Sequence, residues 1–136
     1  MPLILLRHAW AGSRDDWHTD DRDRPLDDRG REQARNVVSV LADFPIDEIH
    51  TSPYVRCVQT VEPLAAARGL ELQLREELGE DHWHEGPAVL TELAGRDVVV
   101  CGHGGLDAVV PDAPKWKKGA AFVLDAELRL LDVLRA

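Results

Sequence analysis

Two short apolar runs, each leading into a histidine, constrain the fold more than any other feature of the chain. Residues 3–6 are followed directly by Arg7 and His8, and residues 98–101 lead to His103 through one glycine. Apolar runs without polar alternation are typical of strands buried on both faces, as in the parallel sheets of α/β domains. Open α/β sheets bind ligands at the carboxyl ends of such strands. A lone histidine at such a strand end is usually structural, with its ring hydrogen-bonded to a backbone carbonyl. Two histidines at neighbouring strand ends favour a reactive site.

The residues that end the first run indicate how an anionic substrate would react there. The imidazole of His8 can act as a nucleophile, and the adjacent guanidinium of Arg7 can hold an anion. The cation content agrees with this chemistry, because 13 of the 16 Lys and Arg residues are arginine. Arginine binds phosphate or carboxylate through two parallel hydrogen bonds. We therefore expect a small anionic substrate.

Length, charge and hydropathy limit the other function classes. The 136 residues, 44% of them hydrophobic, predict one domain over residues 1–136. The formal net charge of −9 argues against nucleic acid as a partner. No apolar run has the length of a membrane span or a signal peptide, so we expect no membrane partner and a cytoplasmic location. Cys57 and Cys101 form no CxxC motif and are expected to be reduced.

Helical and strand patterns alternate along the chain. Apolar residues recur at helical spacing after the N-cap candidates Asp27 and Asp28, and Pro53 suits the start of a second helix. This alternation predicts an α/β fold, a three-layer α/β/α sandwich with a mostly parallel central sheet. The predicted helices cover residues 29–43, 53–68, 87–94 and 106–110, and the predicted strands cover 3–6, 46–51, 70–74, 97–101, 120–125 and 128–134.

Four short motifs follow one another between residue 3 and about residue 124. They are Leu6-Arg7-His8-Ala9, residues 24–34, residues 51–60 and Cys101-Gly102-His103-Gly104. In this order they resemble the motifs of the histidine phosphatase superfamily, which has the phosphoglycerate-mutase-like fold. The small size is similar to that of the phosphohistidine phosphatases. Residues 9–14 and 118–124 look closer to phosphatase-like domains found alone or fused behind Nudix hydrolase domains.

The resemblance implies a phosphatase that works through a phosphorylated histidine. His8 would attack phosphorus as the neutral imidazole. Arg7, Arg56 and His103 would surround the phosphoryl oxygens, because phosphoryl transfer depends mainly on positioning and charge stabilisation. Gly102 and Gly104 would let the backbone approach closely around His103, and Gly104 would contact the phosphate. Neither a metal nor another cofactor is implied, and the substrate would be a small phosphate ester or anhydride, or a protein phosphohistidine.

The proton donor for the leaving group is less clearly marked. The family often places a glutamate in a Leu-x-Glu context after the second helix, and Glu80 fits this context best. Glu76 and Glu77 are the alternatives to Glu80, and a solvated loop over the acidic segment 76–85 is a further one. An acid at this place favours an ester or anhydride substrate, because a phosphohistidine needs less help to leave.

The polar segment 9–24 starts at the candidate nucleophile and carries several arginines. We expect either Arg14 or Arg24 to reach the phosphate, with bracing of the segment as an equal alternative for Arg24. Ala9 stands where the family usually has glycine, which is a mild departure. The segment between His103 and the last two predicted strands is short, so we expect a small lid and an open, shallow site.

Three other functions are compatible with parts of the sequence. His82 and His84 have the spacing of a metal-binding pair, but no third, separated ligand can be placed. A catalytically silent phosphate-binding module is a second alternative, although the full set of reactive residues opposes it. A phosphomutase is the third. Mutases usually carry longer insertions that keep water from a bisphosphate intermediate.

Overall fold

All six strands form one sheet, in the order β3-β2-β4-β1-β5-β6, in a computed structural model that describes residues 1–136. Three of the five strand pairings are parallel, namely β1 with β4, β4 with β2, and β2 with β3, whereas β1 with β5 and β5 with β6 are antiparallel pairs. The predicted α/β fold with a mostly parallel sheet is therefore confirmed. The strands are β1 Leu3–Arg7, β2 Glu48–Thr51, β3 Leu72–Leu74, β4 Val98–Gly102, β5 Ala120–Leu124 and β6 Leu130–Arg135.

Three helices cover the two faces of the sheet. They are α1 Asp28–Val40, α2 Val55–Arg68 and α3 Gly86–Leu93. Strand β1 shows why the sheet needs both layers: Leu3 and Leu5 pack towards α3, while Ile4 and Leu6 pack towards α1 and α2, and all four are at most 1% exposed. Burial on both faces explains the lack of polar alternation in this strand. No helix is both long and apolar enough to cross a membrane.

Several element ends differ from the sequence-based prediction. The first helix ends at Val40, where a turn over residues 41–43 replaces the predicted last turn. The stretch predicted as a helix over 106–110 is a 3-10 helix, Leu106–Val109, because Pro111 follows too closely for a full α-helical turn. The helix N-cap prediction is correct at Asp27, whose side chain accepts from the backbone N–H of Gly30 at 2.8 Å.

The pairing of β1 with β4 brings the two histidine-bearing strand ends together. Leu6 is opposite Cys101 and Arg7 is opposite Gly102 in this parallel ladder. The backbone N–H of His8 donates to the carbonyl of Gly102 at 3.1 Å, which continues the ladder by one residue. His8 and His103 therefore leave the sheet at the same edge.

The segment after β1 packs directly on the first turn of α1, and Gly30 permits this contact. A Cβ at residue 30 would lie 1.9 Å from the carbonyl oxygen of Trp10. We expect Gly30→Ala to lower the free energy of unfolding by about 1–3 kcal/mol, because the helix must move away from this backbone. Urea denaturation checks this, with Ser39→Ala on the exposed side of the same helix as control. Equal stability of both variants would contradict the contact.

Candidate active site

His8 is buried at the end of β1, and its ring borders a polar cavity. The residue is 4% exposed. Its Nδ1 lies 2.7 Å from the carbonyl oxygen of Ala9, and because a carbonyl only accepts hydrogen bonds, Nδ1 carries the proton. Burial, above all, and the nearby cations lower the pKa of His8 to about 3. The ring is therefore neutral at pH 7, with its free electron pair on Nε2.

The peptide that orients His8 is tied to helix α2. The backbone N–H of Ala9 donates to Thr60 Oγ1 at 2.9 Å, and the Thr60 hydroxyl donates to the carbonyl of Arg56 at 2.6 Å. Thr60 is fully buried. This chain of hydrogen bonds fixes the carbonyl that selects the tautomer of His8.

The guanidinium of Arg7 lies against the loop that follows β4. Its Nη1 donates to the carbonyl of Trp116 at 2.7 Å, and its buried Nε has no partner. A Cβ at residue 104 would stand 3.0 Å from Nη2 of Arg7. Gly104 thus leaves space for the guanidinium of Arg7. We had expected it to let the backbone approach closely around His103. Burial lowers the pKa of Arg7, and Asp107 and Glu80 partly offset this effect.

Arg56, in the first turn of α2, is a fully buried cation held by two carboxylates. Its Nη1 donates to the carbonyl of Asp21 at 2.8 Å, and its Nη2 donates to Asp21 Oδ2 at 3.0 Å and to Glu80 Oε2 at 2.9 Å. Its Nε has no partner. Buried cations need such partners, and a substrate phosphate would offer Arg56 the same kind of oxygen.

His103 lies beside His8, with the ring centroids 5.5 Å apart. Its Nε2 is 2.9 Å from Ser52 Oγ, and its Nδ1 is 3.3 Å from Glu80 Oε2 without the alignment of a hydrogen bond. Burial alone would lower the pKa of His103. The sulfur of Cys57 and the carboxylate of Glu80 outweigh burial and raise this pKa above its usual value. His103 is thus more readily protonated than His8.

Glu80 lines the same cavity as Arg7 and His8. His103, above all, lowers the pKa of the Glu80 carboxyl well below its usual range, and Arg14 and Arg56 add to this effect. About a third of the side chain is exposed, at 35%. Glu80 is therefore an anion that is paired with Arg14 and Arg56.

The two alternative glutamates point to other partners. Glu76 is 3.4 Å from Arg22, and Glu77 is 3.0 Å from Arg75. Neither borders the cavity that contains His8, although Glu77 borders a smaller one next to it. Of the three glutamates considered, Glu80 alone contacts Arg56.

The two loop arginines differ in how they are held. Arg24 is buried and donates to Asp21 Oδ1 at 3.0 Å and to the carbonyl of Ala11 at 2.7 Å, so its guanidinium braces the loop. Arg14 is mostly exposed and pairs with Glu80 and Asp21. Both side chains border the cavity of His8.

One cavity of about 540 Å³ brings most of the predicted site together, and no hydrophobic residue lines it. His103 does not line this cavity; it lies next to Glu80 and borders a smaller adjoining cavity of about 30 Å³. The residues that line the larger cavity are Arg7, His8, Gly12, Ser13, Arg14, Arg24, Arg56, Glu80, Gly104 and Lys118.

Sequence reasoning missed four residues that line this cavity or contact the residues of the site. Asp21 is one of several aspartates in the polar segment 9–24, and nothing in its neighbourhood marks it as the partner of Arg56. Ser52 and Thr60 stood inside a motif without a role of their own. Lys118, far along the chain, had only its place beside Gly119 as a signal.

The low pKa of His8 makes stability depend on pH. In the unfolded chain the histidine has a pKa of about 6.5 and binds a proton below that pH. In the folded chain His8 stays neutral until the pH falls to about 3. Stability from this group is thus lost as pH falls from about 6.5 towards 3. From about pH 6.5 to about pH 4.5, wild type should lose about 2–3 kcal/mol more unfolding free energy than His8→Gln. Urea titrations at each pH check this, and parallel losses would contradict it.

The second histidine pair does not assemble a metal site. No group of three or more His, Cys, Asp or Glu side chains is placed to share a metal ion. His82 instead pairs with Glu85 at 3.0 Å. His84 lies against the exposed ring of Trp83.

The sequence profile of the histidine phosphatase superfamily (branch 1) matches residues 3–88. The chain belongs to the histidine phosphatase superfamily. This confirms the family and the class of enzyme that the motifs predicted. The profile match includes His8, Arg56 and Glu80 but ends before His103.

Relatives and solved structures agree with this placement. The histidine phosphatase chain is 36% identical to an 8-oxo-(d)GTP phosphatase of Mycolicibacterium smegmatis over 97% of its own length and 47% of that protein. It thus spans about half of this relative. An uncharacterized protein of Picosynechococcus sp. is 31% identical over 90% of the chain and 74% of that protein. The structure of the protein histidine phosphatase SixA complexed with tungstate superposes with a TM-score of 0.81 at 21% identity, covering 99% and 97% of the two chains.

Proposed function

We propose that this chain is a phosphatase in which His8 takes the phosphoryl group of a small phosphate ester or anhydride and water then removes it. One observation carries the proposal: the Nδ1–H of a buried, neutral His8 is fixed on the carbonyl of Ala9. This leaves Nε2 as an unprotonated nucleophile beside Arg7 and Arg56.

The phosphoryl oxygens would replace Glu80 on the cations of the site. Arg56 holds Glu80 Oε2 at 2.9 Å, and His103 lies 3.3 Å from the same oxygen. An incoming phosphate presents similar oxygens with more charge, so it competes for both groups. Arg7, which has no carboxylate partner, can take a further oxygen. Side chains would thus stabilise the charge of the transition state without a metal ion.

Loss of its partners is what would turn Glu80 into an acid. Its pKa is low because His103, Arg14 and Arg56 stabilise the carboxylate. When the phosphate takes Arg56 and His103, Glu80 faces a new negative charge and its pKa rises. Glu80 then takes up a proton and delivers it to the leaving oxygen as the bond from phosphorus to that oxygen breaks.

The second step reverses these roles. Attack through Nε2 leaves the phosphorylated ring of His8 positively charged, and its Nδ1–H remains on the carbonyl of Ala9. Glu80, now a carboxylate again, accepts a proton from the water that attacks phosphorus. The bond between Nε2 and phosphorus breaks, and His8 returns to its neutral form with phosphate as product.

Two observations favour a small ester or anhydride over a protein phosphohistidine. Glu80 contacts Arg56 in the cavity of His8, where an acid would help a poor leaving group to depart, and a phosphohistidine does not need this help. The relative from M. smegmatis that covers 97% of this chain is an 8-oxo-(d)GTP phosphatase. A panel of nucleotides, sugar phosphates, an aryl phosphate and a phosphohistidine peptide tests the choice. Preference for the peptide over every small substrate would contradict it.

A substitution at Arg56 tests the phosphoryl site itself. Lysine keeps the charge but lacks the planar fork that contacts two groups at once. We expect Arg56→Lys to lower kcat/KM by about 100- to 1,000-fold on every substrate of the panel, since all share the phosphoryl group. Arg68→Lys, at the far end of the same helix, is the matched control. A loss confined to some substrates would mean that Arg56 contacts the leaving group.

A further inference from the structure

A second cavity of about 610 Å³ adjoins the phosphoryl cavity and is strongly basic. Arg7 and Lys118 line both cavities, so these two side chains form a wall that the cavities share. No Asp or Glu side chain borders the second one. Its cations are Arg7, Arg29, Lys115, Lys117, Lys118 and Arg135.

None of these six cations forms an ion pair, unlike most other cations of the chain. None lies within 4.0 Å of a carboxylate, whereas every remaining Lys or Arg except Arg35 and Arg68 has such a partner. In a chain with a net charge of −9, acidic partners are abundant. A group of like charges left unpaired in one concave place creates a local potential that attracts anions.

Cation–π contacts of Trp10 and hydrogen bonds of Gln33 hold the wall of this cavity in place. The guanidinium carbon of Arg29 lies 4.2 Å from the centre of the Trp10 ring, and Nζ of Lys118 lies 4.4 Å from it. Gln33 joins the two segments: its Oε1 accepts from the N–H of Trp10 at 3.0 Å, and its Nε2 donates to the carbonyl of Lys118 at 3.2 Å. Trp10 thus orients two cations by cation–π contact.

Lys118 shows the crowding of charge directly. Burial, above all, lowers its pKa, and Arg7, Arg24, Arg29 and Arg56 lower it further. A bound anion would relieve this repulsion, which is why the site gains more from a second anionic group than from a neutral one.

We propose that the basic cavity is a second anion subsite, which binds a further phosphate or comparable anionic group of the same substrate molecule. The shared wall of Arg7 and Lys118 favours one molecule that spans both cavities over two independent anions. The proposal rests on the proposed function only in placing the transferred phosphoryl group at His8. Substrates with two or more phosphates in a row would then be preferred to those with one.

Calorimetry with inorganic tripolyphosphate and orthophosphate tests the subsite without requiring turnover. The full chain carrying His8→Gln is used, so that the polyphosphate is not consumed. We expect tripolyphosphate to bind at least about tenfold more tightly than orthophosphate, since each additional charged contact is worth roughly a factor of ten. Adding Arg29→Ala and Lys117→Ala should remove most of this advantage and leave the orthophosphate affinity unchanged.

The matched control is Arg35→Ala, an exposed and unpaired arginine on the same helix as Arg29 but outside both cavities. It should leave both affinities unchanged.

Equal binding of the two anions, or an equal loss of both affinities in the double variant, would overturn the subsite. Displacement of tripolyphosphate by an acidic peptide without phosphate, at lower concentration than by pyrophosphate, would overturn it in favour of a protein partner. Failure of the proposed function would appear separately, as retained turnover in His8→Gln with a normal binding result.

Discussion

Replacing His8 with glutamine is expected to lower kcat by about 10,000-fold or more on every phosphate substrate. Removal of a covalent nucleophile leaves only the binding and charge stabilisation by the remaining site, and losses of this size are typical of such variants. Glutamine can keep a hydrogen bond to the carbonyl of Ala9, but its amide is not a nucleophile. Steady-state kinetics with an aryl phosphate and a nucleotide measure the effect.

A second buried histidine provides the control for this variant. His50 on β2 is 3% exposed, close to the 4% of His8, and lies within 3.4 Å of Glu48 and Arg75 outside the cavity. His50→Gln should keep kcat within a few-fold of wild type. If His8→Gln folds and retains more than about a tenth of the activity, His8 is not the nucleophile.

Replacing Glu80 with glutamine is expected to separate alkyl from aryl phosphates. An alkyl oxygen is a poor leaving group and needs a proton in the transition state, whereas an aryl oxygen leaves without one. General acid catalysis is typically worth about 100- to 10,000-fold, so kcat on an alkyl phosphate should fall by that much. The aryl phosphate and a phosphohistidine peptide should lose far less. The ratio of the two kcat values is the measurement.

The same variant reports on the ion pair between Glu80 and Arg56. If phosphate replaces Glu80 on that guanidinium, Glu80→Gln should bind orthophosphate at least as tightly as wild type. Equal losses of kcat on both substrates would mean that Glu80 shapes the cavity and donates no proton. No loss on either would move the proton donor to Glu76 or Glu77, and the variants of these two residues are the matched controls.

The sheet and the strand-end residues were predictable because their signals are local. A strand buried on both faces shows itself as an unbroken apolar run, and the residues after it must lie at the sheet edge. Arg7, His8 and His103 follow from this rule alone. Arg56 needed the family resemblance, because an arginine in the first turn of a helix has no local pattern that distinguishes it from a surface residue.

The contacts that tune the site were not predictable, because they join segments distant along the chain. Asp21 and Glu80 meet at Arg56 from 35 and 24 residues away. The depressed pKa of Glu80 follows from that meeting and from no feature of the acidic segment itself. The basic cavity likewise needs the contact of Trp10 with Arg29 and Lys118, which only the packing of α1 against the strand ends produces.

Phosphorylation of His8 during turnover is the most direct measurement of the proposed mechanism. Wild-type protein is mixed rapidly with a radiolabelled aryl phosphate, quenched in alkali and digested, and the labelled peptide is identified by mass spectrometry. We expect an acid-labile, alkali-stable phosphate on the Nε2 of His8, formed as fast as the aryl alcohol is released and missing in His8→Gln. Release of the alcohol with no phosphorylated protein at any time, or a label on another residue, would contradict a phosphohistidine intermediate at His8.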